Sequence, residues 1–263
     1  LVDASRRAVR LAKTARVGSR APGRPSRVPM RGVGPGTARR AMILHRLSAL
    51  NALHVVLASA SPRRREILRD VVGVECDIAP SAFAENLPHE DYDGAAAYAR
   101  ATAWMKAMDV YENWDANERG SEMPDVIIGA DTVVESADGT TMEKPADAAS
   151  ATAMLRALSR SESKVHTGVA IIGGKISKKT GKIYGKSFSE TTRVEFAELK
   201  AEEIAAYVAT KEPYDKAGGY GIQGPAAVFI RGIVGDYFNV MGLPAHAFAR
   251  ELESMIDDVV EHA

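Results

Sequence analysis

Three consecutive arginines follow a Ser-Pro pair in residues 59–66, whose sequence is S-A-S-P-R-R-R-E. Ser61 and Pro62 are typical of a helix start, and a short apolar run precedes them. A helix N-terminus exposes unpaired N–H groups and partial positive charge, and arginine adds forked donors that match phosphate oxygens. Because positive charges in the first turn oppose the helix dipole, they cost stability unless an anion compensates. The stretch therefore favours an anion site over an ordinary capped surface helix with solvated arginines.

Asp131 follows the apolar run 126–130 (V-I-I-G-A) and precedes Thr132. An acidic residue at the carboxyl end of a buried strand is a usual place for a site in an α/β fold. In that place its carboxylate can hold a metal or activate water. The alternative is a turn-forming aspartate, with Thr132 starting the next strand.

Residues 212–224 (E-P-Y-D-K-A-G-G-Y-G-I-Q-G) combine four glycines within seven residues with charged and amide side chains. Glycine lets a backbone approach a ligand closely. Asp215 and Lys216 supply both signs of charge, and Gln223 offers the donor and the acceptor needed to read the edge of a base. The spacing matches neither a P-loop nor a dinucleotide-binding fingerprint. A flexible surface loop is the alternative.

Two further segments carry weaker signals. Lys144 lies beside the rigid Pro145, and as part of a lone tripeptide it indicates an exposed surface lysine. Asn239, in the run 235–244 (G-D-Y-F-N-V-M-G-L-P), favours a packed structural turn over a ligand contact. The motifs G-x-S-x-G and H-E-x-x-H are absent, and the six histidines are scattered. Other nucleophile or zinc chemistries are therefore poorly supported.

The composition limits the class of protein. The chain has 263 residues, 46% of them hydrophobic, which is enough for one core or for two lobes that share a sheet. No stretch approaches the roughly 20 apolar residues of a membrane span, so no membrane partner is expected. The single cysteine, Cys76, excludes an internal disulfide framework and a zinc–cysteine cluster.

The net charge of zero hides a basic leader attached to an acidic body. Residues 1–50 carry 12 Lys and Arg and one acidic residue, Asp3, whereas the remainder carries 22 basic and 33 acidic residues. Residues 1–41 lack apolar periodicity and are predicted to be disordered. Three interpretations stay open: an organellar transit peptide, sequence upstream of a true start at Met30 or Met42, and a nucleic-acid-binding arm. The expected compartment is the cytoplasm, or a mitochondrion or plastid if the leader is a transit peptide.

The body, residues 42–263, alternates strand-like and helix-like patterns and predicts one α/β domain. Expected strands lie at 54–59, 126–130, 165–176, 188–198 and 226–230. Expected helices lie at 62–72, 91–114, 147–158, 201–209 and 244–260. A hairpin turn is expected at Asp138-Gly139 and a polar loop at 178–182.

Taken in order, these segments resemble the Maf family of nucleotide pyrophosphatases. The resemblance runs from about Val55 to about Phe248. It rests on L-A-S-A-S-P-R-R-R-E-I-L, I-G-A-D-T-V-V, E-K-P, H-T-G-V-A-I, E-P-Y-D-K-A-G-G-Y-G-I-Q-G and G-D-Y-F-N-V-M-G-L-P. Each motif is weak alone, but six in sequence argue against chance. The resemblance implies a mixed α/β sheet in two lobes with a central nucleotide-binding cleft, often as a homodimer. It also implies hydrolysis of a nucleoside triphosphate to the monophosphate and pyrophosphate with Mg²⁺ or another divalent cation such as Mn²⁺.

The resemblance also assigns roles to single residues. Asp131 is expected to be the catalytic carboxylate that activates water and, with Glu85 of S-A-F-A-E-N, to hold the metal. The residues expected at or near the phosphates are Ser61, Arg64, Lys144 and Lys216. The trio that marks the branch acting on dTTP and UTP is Arg63, Thr132 and Gln223.

Two positions depart from the family pattern. The family usually carries L-A-x-x-K-A in the helix after the acidic residue, and here Thr102 replaces that lysine. Lys106 lies one helical turn later on the same face, so it either takes over the contact or the contact is lost. Tyr214 stands where Met is common, which is expected to affect packing only.

Two alternative functions stay open. One is a pyrophosphatase for non-canonical purine nucleotides such as ITP or XTP. The other is a non-enzymatic regulator of cell division, or a nucleic-acid-binding protein, with the same fold. Because the leader has no aromatic side chains between its arginines, no stable nucleic-acid partner is expected.

Overall fold

The computed structural model describes residues 43–115, 122–176 and 183–260. Within them the strands form one mixed sheet of seven strands, so the α/β prediction is confirmed. The strands are β1 (Val55–Leu57), β2 (Asp77–Ile78), β3 (Val126–Glu135), β4 (Thr141–Met142), β5 (Glu162–Ile176), β6 (Ile183–Phe196) and β7 (Ile230–Val234). The order is β2-β1-β3-β5-β6-β7, with β4 also paired to β3. β1 is parallel to β2 and β3, and the other pairs are antiparallel.

The helices accompany this sheet. In the described ranges they are α1 (Leu47–Leu50), α2 (Pro62–Glu66), α3 (Gly94–Glu112), α4 (Ala148–Leu158), α5 (Ala201–Ala209), α6 (Tyr237–Met241) and α7 (Ala245–Val260). The predicted helices at 91–114, 147–158, 201–209 and 244–260 are therefore confirmed to within three residues at each end. The predicted leader, 1–41, and the predicted loop, 178–182, lie outside the described residues. None of the helices in the described ranges is long and apolar enough to cross a membrane.

The helix expected at 62–72 is present but changes type along its length. It is α-helical as far as Glu66, and Ile67–Val72 continues as a π-helix. Gly73 ends it with φ of 83°, a left-handed conformation that glycine adopts without steric cost. Ser61 occupies the predicted N-cap position, although its side chain makes no capping hydrogen bond.

Two strand predictions need correction. The strand expected at 226–230 is wrong: Pro225–Phe229 is a 3₁₀ helix, and β7 begins at Ile230. Pro225 pre-sets a helical φ, and the buried Ala226 and Phe229 are three residues apart, the 3₁₀ repeat. The strand expected at 126–130 continues to Glu135 because β5 pairs along its whole length. Asp131 and Thr132 therefore lie inside a strand and not at its end.

Helix α3 lies directly against β3 and β5 because both contact surfaces consist of small residues. Ala99, Ala103 and Ala107 recur every four residues along the helix and are fully buried. A Cβ atom on Gly129 would lie 2.1 Å from the carbonyl oxygen of Ala103, and one on Gly168 would lie 2.2 Å from that of Ala99. Backbone contact thus fixes the distance between this helix and the sheet.

Two hydrophobic clusters occupy the opposite face of the sheet. One includes Ile128 and Ala130 of β3 and packs on α7 through Phe248. The other includes Val134 of β3 and residues of α4 and α5. Side chains alternate between the two faces of a strand, so Thr132 lies on the same face between the two clusters. This interruption of the apolar face by a polar residue matches the expected two-lobed arrangement around a cleft.

Candidate active site

The candidate site lies where the sheet is split. β3 pairs with β1 only at residues 126–128 and with β4 only at Val134 and Glu135. At residues 129–133 this edge of β3 has no partner strand among the described residues, and a cavity of about 870 Å³ opens beside it. That volume is within the range of roughly 300–1,000 Å³ that small-molecule sites occupy. The edge exposes Asp131 and Thr132 to the cavity without breaking the strand.

The structure brings all of the sequence-predicted site residues to this one cavity. The residues that line it are Ser61, Arg63, Arg64, Glu85, Asp131, Thr132, Lys144, Lys216 and Gln223. They come from the start of α2, the loop before α3, the middle of β3, the segment after β4 and the glycine-rich segment. Five segments that are separated in the sequence therefore converge on one cavity.

Asp131 and Glu85 meet at the ammonium group of Lys106. The Lys106 Nζ lies 2.8 Å from Asp131 Oδ1 and 2.9 Å from Glu85 Oε2. Lys106 and Asp131 are buried, with 8% and 7% of their side chains exposed, whereas 40% of the Glu85 side chain is exposed. Lys106 therefore does reach the site from its position one turn after Thr102, which is itself buried.

The charges at this point act on Glu85. Burial acts to raise the pKa of the Glu85 carboxyl, but the Lys106 ammonium, with Lys144 and Arg64 as weaker contributors, outweighs burial and lowers the pKa from its ordinary value. Glu85 is consequently a carboxylate at neutral pH. An ionised carboxylate is the form that binds a divalent cation.

Arg64 connects three parts of the cleft wall. Its guanidinium donates to the carbonyl oxygen of Gly242 at 2.9 Å, to Ser59 Oγ at 2.9 Å and to Thr132 Oγ1 at 3.0 Å. Burial lowers the pKa of Arg64, while Asp131 and Glu85 act to raise it. Three directed hydrogen bonds fix the guanidinium plane, and the side chain still lines the cavity.

The polar connection continues from Thr132 to Asn239 in helix α6. Thr132 Oγ1 lies 3.0 Å from Thr167 Oγ1, which in turn donates to the carbonyl oxygen of Asn239 at 2.9 Å. Asn239 is fully buried, and its amide donates to the Val165 carbonyl and to Thr192 Oγ1. The structural role predicted for Asn239 is confirmed, although the residue lies in the short helix α6 and not in a turn.

Arg63 and Lys216 are held by the same acid. Arg63 Nη1 lies 3.1 Å from Asp215 Oδ2, and Lys216 Nζ donates to Asp215 Oδ1 at 2.5 Å and to the Glu212 carbonyl at 2.8 Å. Burial acts to raise the pKa of Asp215, but these two cations outweigh it and the pKa is lowered. Both cations are thus positioned on the cleft wall before any ligand binds.

The glycine-rich segment is closely packed and not a loose surface loop. Gly218 and Gly219 are buried and have φ of 68° and 71°. A Cβ atom on Gly224 would lie 1.9 Å from the Glu212 carboxylate, so a larger residue there would have to displace that side chain. Gln223, between these contacts, is exposed and lines the cavity.

Sequence reasoning missed the residues that hold Glu143, the neighbour of Lys144. The Tyr98 hydroxyl donates to Glu143 Oε1 at 2.6 Å, and the His89 ring stacks on Tyr98 with centroids 3.9 Å apart. Lys144 itself is exposed, as predicted for the isolated tripeptide, but it lines the cavity. Helical spacing could have identified Tyr98 in the sequence, because it precedes Lys106 by two turns on the same face of α3.

Comparison with known proteins agrees with this geometry. Residues 54–255 match the family model described as Maf-like protein. The chain belongs to the Maf family. It is 39% identical over 219 residues to a dTTP/UTP pyrophosphatase of Bacillus cereus (83% of this chain, 98% of the relative) and 40% identical over 208 residues to one of Bacillus cytotoxicus (79% and 98%).

A human relative is much longer than this Maf chain. It is a probable bifunctional dTTP/UTP pyrophosphatase/methyltransferase protein, 41% identical over 198 residues. The match covers 75% of this chain but 31% of the human protein. The Maf chain therefore spans about a third of that relative and nearly the full length of the bacterial ones.

The donor set of the Maf site suits a hard divalent cation. Within the described ranges, no cluster of three or more His, Cys, Asp and Glu residues could hold a metal. Asp131 and Glu85 provide two carboxylates that already converge on one positive charge, the Lys106 ammonium. Mg²⁺ commonly takes one or two protein carboxylates and completes its shell with water and substrate phosphates. The residues present therefore fit a cation that binds together with a phosphate substrate.

Proposed function

We propose that this protein is a nucleoside triphosphate pyrophosphatase that acts on dTTP and UTP, or on modified pyrimidine nucleotides, and so keeps unwanted nucleotides out of nucleic acids. The observation that carries the proposal is the convergence of two carboxylates and several cations on one cavity. The two bacterial relatives, named dTTP/UTP pyrophosphatases and matched over nearly their whole length, support the same substrate class.

The reaction breaks the anhydride bond between the α and β phosphates. Water adds a hydroxyl to one phosphorus, and the bridging oxygen leaves on the other, which yields a monophosphate and pyrophosphate. Asp131 is the group proposed to orient this water and accept its proton, because its carboxylate is buried at the open edge of β3. A positioned general base contributes typically about 10²–10⁴-fold to rate.

The triphosphate needs a positive wall in a protein whose body is acidic. Lys144 and Lys216 are proposed to contact the phosphates, and Ser61, at the start of α2, lines the same cavity. Arg64 is proposed to add a fixed guanidinium to this wall. Preorganised cations stabilise charge that develops on the leaving pyrophosphate without reorganising during the reaction.

Asp131 and Glu85 are proposed to hold Mg²⁺, or another divalent cation such as Mn²⁺. When bound, such a cation neutralises phosphate charge and polarises the bond that breaks. The protein's own contribution is to place both carboxylates on the wall of the cavity, and the lowered pKa of Glu85 keeps that carboxyl ionised at neutral pH.

Arg63, Thr132 and Gln223 are proposed to select the base. A uracil or thymine edge presents a donor between two acceptors, and the exposed Gln223 amide offers both complementary groups. Thr132 contributes through Arg64, to which it is hydrogen-bonded. Arg63, which also lines the cavity, is held in place by its ion pair with Asp215.

A substrate panel tests the proposal. Pyrophosphate release is measured with dTTP, UTP, CTP, dCTP, ATP, GTP, ITP, XTP and modified pyrimidine triphosphates in the presence of Mg²⁺. Higher kcat/KM for dTTP and UTP than for ITP and XTP supports the assignment. Faster hydrolysis of ITP or XTP contradicts the pyrimidine preference but leaves pyrophosphatase activity intact, and no release from any nucleotide contradicts both.

A further inference from the structure

Glu143 is an acidic residue in the wall of a cavity that is proposed to bind a triphosphate. It lines the cavity and directly precedes Lys144, one of the proposed phosphate contacts. An acid left free at this point would repel phosphate or neutralise the neighbouring ammonium. Two residues that do not belong to the cavity lining engage its side chain instead. Glu143 Oε1 accepts a hydrogen bond from the Tyr98 hydroxyl at 2.6 Å and lies 3.4 Å from His89 Nε2.

Tyr98 is a donor whose position is fixed. It is only 2% exposed, and its ring stacks on that of His89 with an interplanar angle of 14°. Burial, the hydrogen bond to Glu143 and the nearby acids raise the pKa of Tyr98, so its hydroxyl stays protonated. The helix that carries Tyr98, α3, lies directly against the sheet at Gly129 and Gly168. The packing of α3 on the sheet therefore also sets where Glu143 is held.

The backbone is held on both sides of Lys144. Before it, the Glu143 carbonyl oxygen accepts from the Gly218 amide at 3.0 Å. After it, Pro145 is buried and lies beside Gly219, on which a Cβ atom would be 3.6 Å from Pro145 Cγ. The exposed side chain of Lys144 therefore projects from a segment, 143–145, that is attached to α3 by the Glu143 side chain and to the glycine-rich segment by its backbone.

We propose that Tyr98 and Glu143 form a positioning pair that holds Lys144 at the phosphates of the substrate, with His89 as a second partner of Glu143. The inference rests on the proposed function for the role of Lys144. The pair touches no substrate and acts through the lysine. It uses the negative charge of Glu143 to anchor the backbone, so that this charge does not oppose the ligand.

The first test measures the binding of inorganic pyrophosphate to the full chain by calorimetry in the presence of Mg²⁺. Lys144→Met should weaken binding by about 10-fold or more, the scale of a hydrogen bond between charged groups. Tyr98→Phe keeps the ring and removes the donor, and it should weaken binding by about 3- to 10-fold. Added to Lys144→Met, it should weaken binding no further, because residues that act as one unit are not additive.

The matched control is Tyr92→Phe. The Tyr92 ring contacts that of Tyr98 edge-on, with centroids 5.8 Å apart, but its hydroxyl makes no hydrogen bond to the described residues. The control should therefore bind pyrophosphate with the affinity of wild type.

The second test uses the sign of the change at Glu143. Glu143→Leu removes an acid from the cavity wall, so electrostatics alone would tighten the binding of pyrophosphate. The positioning pair predicts weaker binding, because the anchor of the segment is lost. Glu143→Gln should recover most of the lost affinity, since its amide oxygen can still accept from the Tyr98 hydroxyl. The kcat/KM for dTTP should follow the same order.

The outcomes separate this inference from the proposed function. Wild-type affinity in Tyr98→Phe, or tighter binding by Glu143→Leu, overturns the pair. An equal further loss when Tyr98→Phe is added to Lys144→Met also overturns it and assigns Tyr98 to packing, and so does a wild-type chain that does not bind pyrophosphate. Absence of pyrophosphate release from nucleotides by a wild-type chain that does bind pyrophosphate contradicts the proposed function, and the binding series still decides whether the pair positions Lys144.

Discussion

Acidic and basic side chains in the cavity hold one another in place. Asp215 holds Arg63 and Lys216, and Lys106 holds Asp131 and Glu85. These pairs fix side chains that would otherwise be mobile, since a long cationic side chain loses about 2 kcal/mol of rotamer entropy when it is immobilised. An incoming triphosphate therefore meets cations whose positions are already set.

Asp215 gives this pairing a pH dependence. Its pKa is lowered in the folded protein, because Lys216 and Arg63 outweigh the effect of its burial. Its stabilising contribution is thus fully present above the ordinary aspartate pKa of about 3.9 and is lost as the pH falls through the lowered value. Between pH 6 and pH 3, the thermal midpoint of wild type should fall by more than that of Asp215→Asn. Parallel curves for the two proteins would show that the pairs with Asp215 do not stabilise the fold.

At the scale of secondary structure, the site depends on the close approach of α3 to the sheet. Gly129 lies two residues before Asp131 on the same face of β3, and its missing Cβ admits the backbone of α3. The same contact brings Lys106 to Asp131. Packing and chemistry at this point are therefore set by the same pair of elements.

Gly129→Ala tests this dependence. The added methyl would lie 2.1 Å from the Ala103 carbonyl oxygen, so α3 must move away from β3. Overpacking of this kind typically costs about 1–3 kcal/mol. We expect a lower free energy of unfolding in urea and a lower kcat, because Lys106 moves with the helix.

Gly232→Ala is the matched control, since nothing lies within 4 Å of a Cβ atom at that position on β7. It should leave both the free energy of unfolding and kcat near their wild-type values. Equal behaviour of the two variants would mean that the approach of α3 does not position the site.

The sequence predicted the long helices better than it predicted how the strands end, and the residues it singled out for the site all line one cavity. Helices carry a repeating apolar face, and the motif residues are recognisable by type and order. The extension of β3 through Asp131 depends on pairing with β5 and leaves no local pattern. The 3₁₀ helix at Pro225–Phe229 has a local signal in Pro225, but its run of apolar residues also suits a strand. The reach of Lys106 likewise depends on the rotation of α3 against the sheet, which the glycine contacts set.

At the scale of the whole molecule, the described residues from Ile43 onwards form one compact unit and hold every residue of the candidate site. The family match begins at residue 54, after the basic leader. The leader, the compartment and the homodimer stay predictions. A chain that begins at residue 43 should keep the activity of the full chain.

Deletion of residues 1–42 tests whether the leader contributes to the activity. We expect kcat and KM for dTTP within about twofold of the full chain, because differences below about 0.5 kcal/mol are typical of changes away from a site. Binding of the full chain to duplex DNA should be weak at physiological salt. Tight binding with a steep salt dependence that the deletion abolishes would instead assign the leader to nucleic-acid binding.

The central claim, metal-assisted cleavage between the α and β phosphates at Asp131, is tested most directly by product analysis with dTTP and Mg²⁺. Wild type should form dTMP and pyrophosphate in equal amounts, and Asp131→Asn should lower kcat by about 100-fold or more while its thermal midpoint shows that it remains folded. Formation of dTDP and phosphate, or full turnover by Asp131→Asn, would contradict the account.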